Sequence, residues 1–367
     1  MPAISNTVFL VNPASAAGST GRQWPELAHR CAALGLSGDV FVSERPGHLT
    51  ELAAAAVAGG ATRLVVVGGD GSVHEAVNGI AGVEGVELAV IPRGTGWDFV
   101  RSFGISRRLE DAVATALTGD IREIDLGRAT FRTWAGGEGG AYFANVGSAG
   151  ISGAIARRAN EASKALGGKI SYYWATLAVF FGWQTGRMRV TVDGEVREGR
   201  MIDVVVANGR FIGGGMMLCP EALPDDGVFD VLLIGDVTKR DLLFVLPKTY
   251  RGNHLPHPRL EVLRGRRVTV EADEPLPIEL DGEQPGRTPV HLEIVPRALR
   301  LRVPRAYVGV VGGRFGVERV VAFRGGFSSA TCFSSFLIRR SSSSMPRTFL
   351  LSSSTRLRSS LKAPNAR

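Results

Sequence analysis

Over roughly the first third of the chain, apolar residues come in short runs separated by amphipathic stretches. The runs Thr7–Val11 (TVFLV), 39–43 (DVFVS), 64–67 (LVVV) and 87–91 (ELAVI) are rich in β-branched residues, which predicts buried strands. Between them, residues 22–34, the Ala-rich 49–57, 73–80, a stretch around 98–103 and Leu109–Thr118 suit helices. Strands alternating with helices predict βαβ units in a parallel, doubly wound sheet. Such a sheet binds its ligand beyond the carboxyl ends of its strands. Three of the four strands run there into polar, glycine-bearing loops, at 12–21, 68–72 and 92–96, and the second runs into Ser43-Glu44-Arg45-Pro46-Gly47.

After about residue 122 the pattern changes to strand-like runs at 123–128, 142–146, 187–192, 201–208, 228–234, 267–271, 277–281 and 290–295. Asp193-Gly194, Asp226-Gly227 and Asp281-Gly282 are hairpin-type turn pairs. Together these predict an antiparallel β-sandwich. One helical insertion, about 152–183, interrupts it and ends in the apolar run 172–183 (YYWATLAVFFGW), which reads either as a core helix or as the wall of a groove for lipid tails. Past Pro304 the chain is rich in Ser and Arg with little periodicity, which predicts disorder. The expected division is therefore α/β at 1–122, β-sandwich at 123–304, and a basic tail at 305–367. The last segment of the sandwich, about 290–304, has the option of packing back on the first domain.

Charge changes the picture in one respect. The chain of 367 residues carries a formal +8, but eleven of its 43 basic residues and one of its 35 acidic residues lie from Arg305 onward. Without the tail the balance is slightly acidic, which argues against a body built to bind nucleic acid. The tail reads as inert or as a tether to an anionic membrane. No run reaches the roughly 18 apolar residues of a membrane span, and residues 1–11 lack the basic start of a signal peptide. Three scattered cysteines, Cys31, Cys219 and Cys332, form no disulfide or zinc pattern. A cytoplasmic protein is expected.

The candidate chemistry centres on Gly68-Gly69-Asp70-Gly71-Ser72, at a strand-to-helix turn. Glycines there let the backbone approach a ligand, and the open N–H groups of a helix start favour an anion. Asp70 beside a phosphate would make sense with a divalent metal between them; the plainer alternative is a helix N-cap.

Further motifs occur in one order along the chain: Asn12-Pro13; Gly68-Gly69-Asp70-Gly71-Ser72; Pro92-Arg93-Gly94-Thr95-Gly96-Trp97-Asp98-Phe99; Phe143-Ala144-Asn145-Val146-Gly147; Ala207-Asn208-Gly209; Cys219-Pro220-Glu221-Ala222-Leu223-Pro224-Asp225-Asp226-Gly227-Val228-Phe229-Asp230; and Leu280-Asp281-Gly282-Glu283. Over about residues 5–304 the chain thereby resembles the diacylglycerol kinase family, which includes bacterial soluble diacylglycerol kinases, sphingosine kinases and ceramide kinases. The resemblance implies an N-terminal domain like those of phosphofructokinase and NAD kinase, and a lipid-substrate sandwich. It implies ATP and Mg2+ as cofactors, with Asn12, Pro13, Ser15, Ser43, Gly68, Gly69, Asp70, Gly71, Ser72 and Thr95 around the nucleotide. It further implies Glu283 as the base that activates the acceptor hydroxyl, Asp281 as a metal- or network-linked carboxylate, and Asp70 at the nucleotide and its magnesium. A second, structural magnesium would sit on Leu223, Asp226 and Val228. Two positions depart from the family pattern: Trp97 stands where Asn is usual, and His74 where Asn is usual, although sphingosine-type kinases often carry His.

The resulting expectation is a lipid kinase acting on diacylglycerol, with a sphingoid base as the next acceptor. NAD kinase, which would want a Gly-Ser-Thr-Ala-Tyr type segment where this chain has Gly147-Ser148-Ala149-Gly150, and a non-catalytic lipid-binding relative are the remaining alternatives. Partners would be ATP and a lipid met by transient peripheral contact with a membrane, the contact expected near residues 172–183 with Lys164 and Lys169. Homodimerisation is left open.

Overall fold

The run Leu64–Val67 is wholly buried because each of its faces meets a helix layer. In the computed structural model, which describes residues 6–162 and 178–305, β1 (Thr7–Val11), β2 (Asp39–Val42), β3 (Arg63–Gly68) and β4 (Glu87–Pro92) form a parallel sheet in the order β2-β1-β3-β4. Val8 lies opposite Leu64, and Leu64 opposite Leu88. Leu10, Leu64, Val66 and Val90 pack with residues of α2 (His48–Ala58) and α3 (Asp70–Ile80); Phe9, Val11, Val65 and Ile91 pack with α1 (Ser19–Ala33) and α5 (Leu109–Thr118). Burial on both faces is what lets β1, β3 and β4 be apolar instead of alternating; β2, predicted as a buried strand, lies at the sheet edge with Val40 and Val42 exposed. The short α4 (Asp98–Ser102) follows β4.

Two long strands leave this sheet. β5 (Asp120–Thr133) and β16 (Gly286–Val303) pair antiparallel along most of their length, with register shifts between Arg287 and Val290 and between Val295 and Leu299. The far end of β16 lies parallel to β4, Leu301 opposite Leu88. The position expected as a domain boundary, residue 122, falls inside β5.

The remaining strands are antiparallel: β6 (Glu138–Phe143), β7 (Val146–Gly150), β8 (Gly186–Val192), β9 (Glu195–Ala207), β12 (Phe229–Gly235), β13 (Leu260–Gly265), β14 (Arg267–Ala272) and β15 (Ile278–Leu280), with β10 (Phe211–Ile212) and β11 (Met216–Met217) as a separate small hairpin. From β5 they run β5-β16-β14-β8-β9, and β9 then pairs with both β12 and β7. Their inner faces enclose Phe143, Val204, Phe229, Val268, Ile278 and Leu292, with the Phe143 and Phe229 rings stacked 5.6 Å apart. Asp193-Gly194 and Asp281-Gly282 both have positive φ, the backbone of a type I′ hairpin turn.

Helix α6 (Ile151–Ala162) follows β7, residues 178–182 are helical, and α7 (Lys239–Thr249) follows β12. Most of the apolar run 172–183, with Lys164 and Lys169, lies outside the described residues, as does the tail beyond residue 305. The sequence pattern missed α7, β13 and the β10–β11 hairpin. It also predicted one strand over 142–146, whereas the chain breaks between Phe143 and Val146.

Candidate active site

At the carboxyl edge of the parallel strands three loops close on one another. Asn12 donates from Nδ2 to the Ser72 hydroxyl at 2.9 Å and accepts the Ala14 N–H at 3.0 Å. Ser15 turns its hydroxyl back onto the Asn12 carbonyl (2.9 Å) and Thr20 Oγ1 (2.6 Å), and Pro13 packs under Gly21. The loops after β3 and β4 meet glycine to glycine: a Cβ on Gly94 would lie 2.6 Å from the Gly69 Cα, and the Arg93 N–H donates to the Gly68 carbonyl at 2.7 Å. Any side chain here would part the loops. Of the residues expected around phosphate, Asn12, Gly68, Gly69 and Ser72 are joined by these contacts. Thr95 is exposed on the loop after β4, whereas Ser43 is buried at the end of β2 with its N–H on the Val11 carbonyl (2.9 Å).

Helix α3 begins at Asp70 behind Gly69, which has no side chain to cap it. The Asp70 carboxylate does not cap its own helix. Its Oδ1 accepts the Phe99 N–H of α4 at 3.0 Å, and Gly96 lies so close that a Cβ there would be 2.5 Å from Oδ2. Asp70 thus pins the 93–98 loop, where Trp97 adopts a left-handed conformation (φ 67°) beneath the Arg107 guanidinium, 4.1 Å from the ring centroid. Asp98 is buried beside it. Its Oδ2 accepts the Gly214 N–H at 2.7 Å, while its Oδ1 is buried without a hydrogen-bond partner among the described residues. Burial, and next the charge of Asp70, push Asp98 up to about 7; burial likewise raises Asp70. Two crowded carboxyl groups with an unpartnered oxygen are a donor set that fits a divalent cation.

The hairpin between β15 and β16 covers the first turns of α3. Asp281 (φ 51°) accepts the Ala144 N–H (2.8 Å) at Oδ2 and those of Asn145 (2.9 Å) and Val146 (3.0 Å) at Oδ1. These are the amides at the break between β6 and β7, so the carboxylate supplies the partners that a continuous strand would have found in its ladder. Asp281 Oδ2 also lies 3.3 Å from His74 Nδ1. Burial pulls the His74 imidazole down, but the bond to Asp281 and the charges of Asp281, Glu283 and Glu75 outweigh it and leave its pKa raised. Asn78, one turn on, pairs with both the N–H (2.8 Å) and the carbonyl (2.9 Å) of Tyr142. Glu283 reaches the start of α3: its Oε1 lies 3.3 Å from where a Gly71 Cβ would stand. Burial raises the Glu283 carboxyl, His74 opposes this, and Glu75 adds to it.

Two loops of the α/β layer and one hairpin of the sandwich therefore meet at Gly69–His74, and sequence comparison points the same way. Residues 6–129 match the model of the diacylglycerol kinase catalytic domain, and residues 145–303 that of the YegS C-terminal NAD kinase beta sandwich-like domain. Over 310 residues, 82% of this chain and 96% of the relative, the sequence is 30% identical to a diacylglycerol kinase of Mycobacterium tuberculosis. The chain belongs to the diacylglycerol kinase family. It is 31% identical over 267 residues (72% of the chain, 84% of the relative) to a Pseudomonas aeruginosa protein named as YegS-like among lipid kinases. The crystal structure of a diacylglycerol kinase of Bacillus anthracis, 22% identical, covers 84% of this chain and 100% of that one with a TM-score of 0.63, which shows a shared fold. The chain is a lipid kinase.

Beneath the β15–β16 hairpin of this kinase lies a group that the sequence pattern does not single out. Glu279 is buried, accepts the Ser148 hydroxyl at 2.9 Å, and accepts the Gly282 N–H inside the turn. Burial, with Asp281 and Asp203 adding, pushes it up to about 8; burial also pushes Asp203, bound by the Ser152 hydroxyl, up to about 8. The unfolded chain releases the Glu279 proton near the ordinary pKa of about 4.3, but the folded chain keeps it until about 8. Rising pH across that window therefore favours unfolding, and above it the penalty is constant. Glu279→Gln is expected to flatten the fall in denaturation midpoint between pH 5 and 8.5. Above pH 8 it should be more stable than the parent by on the order of 2–4 kcal/mol. Parallel chemical-denaturation curves for the two proteins across pH check this.

In the loop expected to hold a structural magnesium, the one carboxylate already has a cationic partner. Asp226 is ion-paired with Arg264 of β13, and its Oδ1 accepts the Val228 N–H at 3.3 Å. Arg264 also lies 3.5 Å from the buried Asp230. The turn is further fixed by Asp125, which accepts the Gly227 N–H at 2.7 Å and the Arg297 N–H at 2.8 Å. Leu223 precedes Pro224, whose carbonyl accepts the Asp125 N–H at 2.7 Å. A guanidinium here meets the negative charge that a cation on Leu223, Asp226 and Val228 would have met.

Proposed function

We propose that this kinase transfers the γ-phosphate of ATP to the free hydroxyl of diacylglycerol, giving phosphatidic acid. The approach of Glu283 to Gly71, the carboxylate of the sandwich hairpin against the first turn of α3, carries the reading: it sets a base beside a helix start suited to phosphate. The N–H groups at the start of α3 and the Gly-lined loops at 68–72 and 92–96 receive the nucleotide phosphates. Glu283 takes the proton of the acceptor hydroxyl as it attacks. Asp281, tied to three backbone amides and His74, positions the turn that carries Glu283. Asp70 with Asp98 would hold magnesium, which when bound neutralises phosphate charge during transfer. Among the described residues no helix is long and apolar enough to cross a membrane.

The test is phosphoryl transfer from labelled ATP by the full chain, with diacylglycerol, sphingosine, ceramide and NAD each offered, the lipids in mixed detergent micelles. Labelled phosphatidic acid that disappears when magnesium is chelated is the expected outcome. Labelling of sphingosine without diacylglycerol would reassign the acceptor, and an undiminished rate without divalent metal would remove magnesium from the mechanism.

A further inference from the structure

Helix α7 carries an exposed stripe that nothing in the catalytic reading uses. Arg240, Phe244, Pro247 and Lys248 recur at the i, i+4, i+7, i+8 spacing of one helix face, and all four are exposed. Phe244 has 72% of its surface in water, the most of any large hydrophobic side chain described. A lone exposed apolar residue needs no explanation, but this one has company. Tyr250 and Phe181 are also about half exposed, and α7 is fastened to Phe181 by Lys239, whose Nζ donates to the Phe181 carbonyl at 2.9 Å and lies 5.6 Å from its ring centroid.

The charge around these rings has one sign. Arg240 and Lys248 flank Phe244 one turn to either side, Arg251 follows the helix, and among the described residues none of the three pairs with a carboxylate. The single acid of α7, Asp241, is turned to the N-terminus, where it closes a capping box with Thr238 and faces His257 at 3.7 Å. Aromatic rings between unpaired cations suit the boundary between headgroups and acyl chains, where the rings enter the apolar layer and the cations meet lipid phosphate.

A cavity lies next in the chain to Phe181 and to the hairpin. Phe181 lies two residues from Val179, which with Trp134, Ala154, Pro277 and Gln284 lines a cavity of about 440 Å³. Gln284 adjoins Glu283 and is held by a bond of 3.1 Å to the Gly153 carbonyl. This cavity is lined from the segment that carries Phe181 and from the residue that follows Glu283.

We propose that the Arg240–Phe244–Lys248 face of α7, with Phe181 beside it, is the surface by which this kinase seats on an anionic bilayer. The lipid-kinase assignment gives the contact its purpose, but the contact is read separately from catalysis. Full-length parent, Phe244→Ser and the double variant Arg240→Glu/Lys248→Glu are sedimented with vesicles of phosphatidylcholine, alone or mixed with phosphatidylglycerol. The parent should bind the anionic vesicles. Phe244→Ser should weaken that binding roughly tenfold, and the double variant roughly 25-fold or more, about fivefold for each cation lost. All three should melt alike and phosphorylate micelle-dispersed lipid at the same rate. Vesicle binding undiminished in both variants overturns the proposal and leaves the tail or another surface as the anchor. So does binding that phosphatidylglycerol does not strengthen. A parent that binds vesicles but labels no micellar lipid counts against the acceptor reading and leaves the docking surface standing.

Discussion

Glu283→Gln is expected to lower kcat for lipid phosphorylation by about two to four orders of magnitude without altering stability appreciably. The substitution keeps the shape and the hydrogen-bonding reach of the side chain and removes only its basicity. Among the described residues the Glu283 carboxylate accepts no hydrogen bond that the hairpin depends on: the turn is closed by the backbone pair Leu280–Glu283 and held by Asp281 and by Glu279. Its carboxyl is already raised above the ordinary glutamate value, which brings its basicity toward neutral pH. The KM for ATP should change little, since the proposed nucleotide side is the glycine loops and α3 and not Glu283. Rates at saturating ATP and lipid in micelles, beside thermal melts, decide it. A glutamine variant that keeps more than a tenth of the parent rate would remove Glu283 as the base. In the parent, the acid limb of the rate profile should lie above the range of an unperturbed glutamate, because the base must lose its proton before the hydroxyl can yield its own.

Much of the α/β layer could be read from sequence because β1, β3 and β4 are buried on both faces, so that each is a nearly unbroken apolar run, while β2 at the sheet edge is largely exposed; β1 and α5 end where the pattern ends. The sandwich was less transparent. β16 looked like a short run over 290–295 because Pro289 and Pro296 interrupt it, yet it continues to Val303 through two register shifts. Asp125, alone in the apolar run Ile124-Asp125-Leu126, holds the second of these by accepting the Arg297 N–H. Only the fold gives that aspartate its meaning. α7 escaped notice because its apolar residues form one continuous run, 242–247, that ends in Pro247 inside the helix and so carries no helical periodicity.

The site was legible in its residues and less so in their roles. Asp70 stood out as a carboxylate among helix-start amides, but its pairing with Phe99 and its crowding by Asp98 depend on the loop after β4 folding back, a long-range contact that no local pattern encodes. Asp98 was visible only as part of a motif. The family pattern suggested a metal at Asp226, and Arg264, distant in sequence, occupies its charge instead. His74 was a departure without a role until Asp281 was found beside it.

That pairing makes Asp281 the position where a single substitution should cost the most stability. Asp281→Ala is expected to destabilise the kinase by about 3–5 kcal/mol. Three amides, those of Ala144, Asn145 and Val146, would lose their acceptor at a point where no strand can replace it, and the buried His74 would lose the carboxylate that favours its charge. Alanine would also have to hold a left-handed φ of 51°, which aspartate and asparagine tolerate better than other side chains do. Asp281→Asn separates these effects. It keeps the conformation and one acceptor oxygen and removes the charge, so about 1–2 kcal/mol should be lost. Chemical denaturation of both variants gives the order. If alanine and asparagine cost the same, the amide cluster is satisfied in another way and Asp281 is not what holds the turn. If neither costs more than about 1 kcal/mol, the break between β6 and β7 does not depend on the carboxylate. Activity should follow in a manner that distinguishes Asp281 from Glu283. A folded Asp281→Asn protein should lose rate because Glu283 is less well placed, and Glu283→Gln in that background should then cost less than in the parent, the sign of two residues acting through one geometry.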